Sequence, residues 1–129
     1  MMPANENKAL VSRFVQEVLN GGNVDAMDDL LSSDVIDHRH NHHPINSVKE
    51  SMKALHGEVP DLAYKIEDVV AEGDKVMFRL SLRAKHPQQL PGGAPGQKDA
   101  SVSSLHLVRI RNGKIAEHWS ANLTEEQVD

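Results

Sequence analysis

Apolar residues recur at helical spacing along the first half of the chain and alternate with polar ones along the second, so helices are predicted first and strands after. Leu10, Val11, Phe14, Val18 and Leu19 mark one face of an amphipathic helix over 5–20, which Gly21-Gly22 ends. Asn23 is placed to cap a second short helix with Met27, Leu30 and Leu31 on its apolar side. Asp34-Val35-Ile36-Asp37-His38 reads as a short strand leaving that helix, and the polar run to Pro44 as a strand end entering a loop. Asn46 or Ser47 can cap a third helix that carries Val48, Met52 and Leu55 and closes at His56-Gly57.

After Pro60 the period falls to two. Leu62, Tyr64 and Ile66 alternate with polar neighbours, and Val69-Val70-Ala71 leads to a turn at Glu72-Gly73-Asp74. Val76, Phe78, Leu80 and Leu82 then alternate with Met77, Arg79, Ser81 and Arg83, the pattern of a long half-buried strand. Pro87 to Gly96 is too rich in proline and glycine for regular structure and is expected to be a mobile loop. Strands follow over 98–111 and 114–122, joined at Asn112-Gly113, whose tolerance of positive φ suits a tight type I′ turn. Helices followed by an antiparallel meander predict an α+β domain, a bent sheet wrapped around helices.

At 129 residues, with 39% hydrophobic and 26% charged residues, the chain is expected to be a single globular domain over 1–129. It has no cysteine, which excludes disulfides and thiolate chemistry. A formal charge of −5 and few aromatic residues argue against a nucleic-acid partner. No apolar run approaches the length of a membrane span, and the start lacks the pattern of a signal peptide, so a cytoplasmic location is expected.

The titratable residues gather at two places. In the strand 98–111, Ser104, His106, Val108 and Ile110 share one parity, so His106 falls on a largely apolar face, either as a working imidazole or as a satisfied core histidine. On the last strand His118, Ser120 and Asn122 share a face, with Ile115, Trp119, Ala121 and Leu123 tending to the other. The second place is the run His38, His40, His42 and His43, with Asp37 beside it. Its spacing matches no zinc motif, so a solvated polar strand end is preferred and no metal is expected. Asp37 and His38 are neighbours on a strand and must point to opposite faces, but which of them faces inward is open.

Several strings, taken in order, resemble one family. They are Asn7-Lys8-Ala9-Leu10-Val11 through Asn20-Gly21-Gly22-Asn23, Asp34-Val35-Ile36-Asp37-His38, Pro60-Asp61-Leu62, Ile66 through Val76, and Arg109 through Trp119. Together they resemble the SnoaL-like polyketide cyclases, or ester cyclases, of the NTF2-like superfamily. The resemblance implies an α+β cone, with N-terminal helices packed on a strongly curved antiparallel sheet around an apolar pocket. It also implies a homodimer packed through the sheet, and intramolecular aldol chemistry without a cofactor. In that mechanism a carboxylate removes an activated α-proton and polar pocket groups stabilise the enolate.

Carried over residue by residue, His38 matches the histidine that ends the family's first strand, and His106 a polar pocket position. The acid/base carboxylate would follow the final His-Trp pair, where this chain has Ser120, whose hydroxyl cannot serve as a base near neutral pH without a partner. The expected catalytic set is therefore His38, His106 and Ser120, with His118, Asn122, Phe78 and Trp119 at the substrate. The expected function is histidine-based acid/base chemistry on a small hydrophobic molecule, in a reaction of cyclase, isomerase or hydrolase type. A non-catalytic ligand-binding module and an oligomerisation domain are the alternatives.

Overall fold

The N-terminal apolar stripe forms a helix in two registers. Helix α1 (Ala4–Arg13) continues as a wider π-helical segment over Phe14–Asn20, burying Leu10, Val11, Phe14, Val15, Val18 and Leu19 along one side. The ending falls where expected: the Gly21 amide donates to the Gln16 carbonyl at 3.0 Å, and Gly22 turns the chain at φ 67°, a conformation that glycine adopts without steric cost. Asn23 accepts from the Ala26 amide at 3.3 Å, capping a short 3₁₀ turn (Val24–Ala26) that runs into α2 (Met27–Leu30). Strand β1 (Leu31–Asp37) starts three residues earlier than its pattern suggests, and α3 (Ile45–Glu58) starts at Ile45, ahead of either proposed cap.

Strands β2 (Ala63–Glu72), β3 (Lys75–Arg83), β4 (Ser101–Arg111) and β5 (Lys114–Leu123) form the meander. These elements come from a computed structural model describing residues 4–38, 45–58, 63–83 and 101–123. The loop expected at Pro87–Gly96, and His40, His42 and His43, lie outside the described residues. At the β4–β5 hairpin Asn112 and Gly113 both hold positive φ, 53° and 77°, as a type I′ turn requires.

The sheet order is β1-β5-β4-β3-β2. Its four meander strands are antiparallel as expected, but β1 pairs with β5 in parallel, so the sheet is mixed. The reason is connectivity. From β1 the chain passes through α3 to the opposite edge, where β2 begins, and no hairpin links β1 to its neighbour. With β1 and β2 as the two edges, the curved sheet is not closed.

Two bulges set which side chains face the helices. In β2 the register steps between Ile66 and Asp68, leaving Glu67 as an extra residue. Inward positions change there from even (Tyr64, Ile66) to odd (Val69, Ala71), and Val70 is left 63% exposed on the outer face. In β5 the pairing steps between Arg109 with Glu117 and Ile110 with Ile115, leaving Ala116 as the extra residue. Ile115 therefore faces inward together with His118, Ser120 and Asn122, although simple alternation puts it on the opposite face. The core between helices and sheet is closed by Val76, Phe78, Leu80 and Leu82 of β3 against Val11, Val15, Val18, Met27 and Leu30.

Candidate functional site

Cross-strand register arranges the inner face of the sheet in rows. One row runs Asp37, His118, Val108, Val76, Ala71 from β1 to β2. The next runs Ser120, His106, Phe78, Val69, and a third Asn122, Ser104, Leu80, Ile66. Each row is polar toward β5 and apolar toward β2. Between this face and the helices lies a cavity of about 170 Å³. Phe14, Leu19, Leu31, Val35, Val48, Met52, Leu55, Phe78, Leu82, Val108 and Ile115 supply its apolar lining, and Asp37, Ser51, Tyr64, Ser104, His106, His118, Ser120 and Asn122 its polar groups.

Three of those groups are linked. His106 Nδ1 lies 2.8 Å from His118 Nε2, and His106 Nε2 lies 2.8 Å from Ser104 Oγ. The His106 ring stacks on Phe78 at 5.0 Å between centroids, and the His118 ring meets it edge to edge through the shared hydrogen bond, 13° from coplanar. Phe78 and Ser104 are buried, so the imidazole between them is fixed in position and in partner. An uncharged chain of this kind has two proton arrangements, because each imidazole carries one N–H and one lone pair. Either Ser104 donates to His106 and His106 to His118, or His118 donates to His106 and His106 to Ser104.

Tyr64 enters from the far edge strand. Its backbone is held at both groups by Asn20, at the end of the π-helical segment: Asn20 Oδ1 accepts from the Tyr64 N–H at 2.6 Å, and Asn20 Nδ2 donates to the Tyr64 carbonyl at 2.9 Å. Burial pushes the Tyr64 phenol up to about 12.

The other expected residues divide between the two faces. His106, Ser120, His118, Asn122 and Phe78 line the cavity. His38 and Trp119 do not; they stack on each other outside it, 4.6 Å apart and 6° from parallel. His38 Nε2 is 2.8 Å from Glu117 Oε2, and Arg109 donates to Glu117 Oε1 at 2.9 Å while lying 5.8 Å from the centre of the Trp119 ring. The hydrogen bond from His38, with the charge of Arg109, holds the Glu117 carboxyl below the usual carboxylate range. Strand parity explains the division: Val35 is buried in the core, so Asp37 shares its inward face and His38 falls to the other side.

Asp37, Ser104 and Tyr64 are cavity residues that the sequence reading did not assign to the site. The available signal was parity with an inward apolar neighbour: Asp37 with Val35, Ser104 with Val108, Tyr64 with the half-buried Ile66. Among the described residues no group of three or more His, Cys, Asp or Glu side chains is placed to hold a metal ion. None of the described helices is long and apolar enough to cross a membrane.

A family model described as SnoaL-like polyketide cyclase matches residues 9–122. A solved SnoaL-like polyketide cyclase of Agrobacterium tumefaciens is 16% identical, with 99% of this chain and 100% of that one covered at a TM-score of 0.76. IdmH of Streptomyces antibioticus, a candidate polyketide cyclase, is 19% identical over 90% of this chain and 91% of its own, with a TM-score of 0.73. AclR of Streptomyces galilaeus, a candidate hydroxylase, is 23% identical over 95% and 82%, with a TM-score of 0.75. At these identities the likeness is one of fold, and the fold carries more than one named activity. No curated protein matches the chain.

Proposed function

From the premise that this chain belongs to the SnoaL-like polyketide cyclase family, we propose that it is a cofactor-free acid/base catalyst acting on a small apolar carbonyl compound held in the cavity. The observation that carries this reading is the hydrogen-bonded chain Ser104–His106–His118 along the wall of that cavity. A neutral imidazole has the basicity suited to moving protons near pH 7. An α-proton taken up by the His118–His106 pair is shared across their 2.8 Å bond, and the imidazolium charge so formed balances the enolate it leaves behind. Ser120 and Asn122 supply neutral hydrogen-bonding groups for the enolate, and Asp37, in register with His118, supplies the carboxylate of the site.

The test follows α-proton exchange of 2,6-heptanedione in D₂O by ¹H NMR. Wild-type protein is expected to accelerate exchange, and His106→Phe and His118→Phe to remove the acceleration while the protein stays folded. Equal exchange in the double variant would refute the histidine chemistry. One observation favours a second reading, a non-catalytic binding module: Ser120 stands where the family's carboxylate is expected. Binding without exchange is the outcome that selects it.

The outer face supports a homodimer. Val70, Met77, Leu107 and Trp119 lie in one cross-strand row, with Val70 63% and Met77 41% exposed and Leu105, 37% exposed, next to it. A continuous apolar row across four strands, flanked by Leu105, suits burial against a second copy of itself.

A further inference from the structure

On the sheet side the cavity has its polar groups at two separated places, and α3 contributes Ser51. Ser104, His106, His118, Ser120 and Asn122 stand on β4 and β5, and Asp37 on β1 beyond them. Tyr64 stands on β2, two strands from β4, about 10 Å away at the usual strand spacing. Between them β3 contributes only Phe78 and Leu82 to the lining, so the middle of the cavity floor is apolar.

Tyr64 is also held in place more firmly than an edge residue needs to be. Both of its outward backbone groups are taken by Asn20, and Ile66, next on the same face, packs against the core. Its ring lines the cavity, and among the described residues its hydroxyl has no hydrogen-bond partner. A phenol fixed at an apolar wall with its hydroxyl unpaired is an available donor for a ligand oxygen.

We propose that Tyr64 is a second anchoring point of the cavity, donating a hydrogen bond to a remote oxygen of the ligand while the Ser104–His106–His118 chain holds the reacting carbonyl. The ligand class is thereby narrowed to small two-ended molecules, an apolar linker with an oxygen function at each end. Burial keeps the phenol protonated throughout the neutral range, so it serves as a donor and never as a competing base. This inference rests on the proposed reading of the cavity as the ligand site.

The experiment compares 2,6-heptanedione with 2-heptanone, which shares the carbon chain and lacks the second oxygen. Binding is followed by the ¹H NMR shifts of the His106 and His118 ring protons in wild-type protein and in Tyr64→Phe, which keeps the ring and removes only the hydroxyl. A neutral hydrogen bond predicts that wild type binds the diketone about three- to tenfold more tightly than the monoketone. Tyr64→Phe is expected to reduce that ratio to about one, by weakening the diketone alone. A ratio unchanged by the substitution overturns the role of Tyr64 and leaves the cavity reading intact. If neither ketone moves the histidine resonances, the cavity reading fails and this inference with it. Equal thermal midpoints of the two proteins establish that a lost ratio is not a lost fold.

Discussion

Replacing Asn20 by alanine tests whether one side chain joins the helical layer to the edge of the sheet. Asn20 occupies both outward backbone groups of Tyr64, at 2.6 and 2.9 Å, and so acts as a short stand-in for a sixth strand. A typical intramolecular hydrogen bond contributes about 1 kcal/mol net, so two lost bonds cost about 2 kcal/mol. The higher helix propensity of alanine returns only a few tenths of that at the end of the helical segment. For a chain of 129 residues the unfolding entropy is about 0.27 kcal/mol per kelvin, which converts the loss to a Tm lower by about 7 °C. Thermal unfolding followed by circular dichroism measures the shift, and urea unfolding with an unchanged slope confirms that it is a change in stability. A shift under about 2 °C would refute the reasoning, because water would then satisfy Tyr64 as well as Asn20 does.

Three further outcomes are expected. Phe78→Ala removes a ring that is 1% exposed and stacked on His106; chemical denaturation should show a loss of about 3–4 kcal/mol, and the His106 ring resonances should broaden as the imidazole loses its support. Glu117 is held below its ordinary value by His38, so its contribution to stability is present above the unfolded carboxylate value and is lost as the pH falls through the lower folded one. Glu117→Gln should accordingly flatten the acid limb of a plot of stability against pH, and an unchanged acid limb would count against the His38–Glu117 bond. Met77→Glu places a charge in the middle of the outer apolar row and should convert a dimer to monomer in light scattering after size exclusion, with Tm altered only through the lost association.

Local chemistry alone determined much of this protein. Gly22 had to end a helix and Asn112-Gly113 had to turn a hairpin, because few other residues adopt the positive φ these positions hold. The alternation over Val76–Leu82 fixed the face of β3 without ambiguity, since a period of two leaves only two choices and one of them is polar. His106 was legible as an inward residue for the same reason, with Val108 and Ile110 in phase with it. What local pattern could not carry was anything depending on register between distant segments. A bulge is a mismatch between two strands, so the one at Ala116, which brings Ile115 onto the face of His118, has no signature in β5 by itself. The parallel seat of β1 beside β5 is likewise a property of the whole sheet, and it sets Asp37 level with His118 while sending His38 to stack on Trp119 outside. The bond between His106 and His118 joins residues whose patterns place each on a strand face separately, and only the antiparallel register sets them in adjacent rows at 2.8 Å. Sequence determines which residues can face a core; the pairing of strands decides which of them meet there.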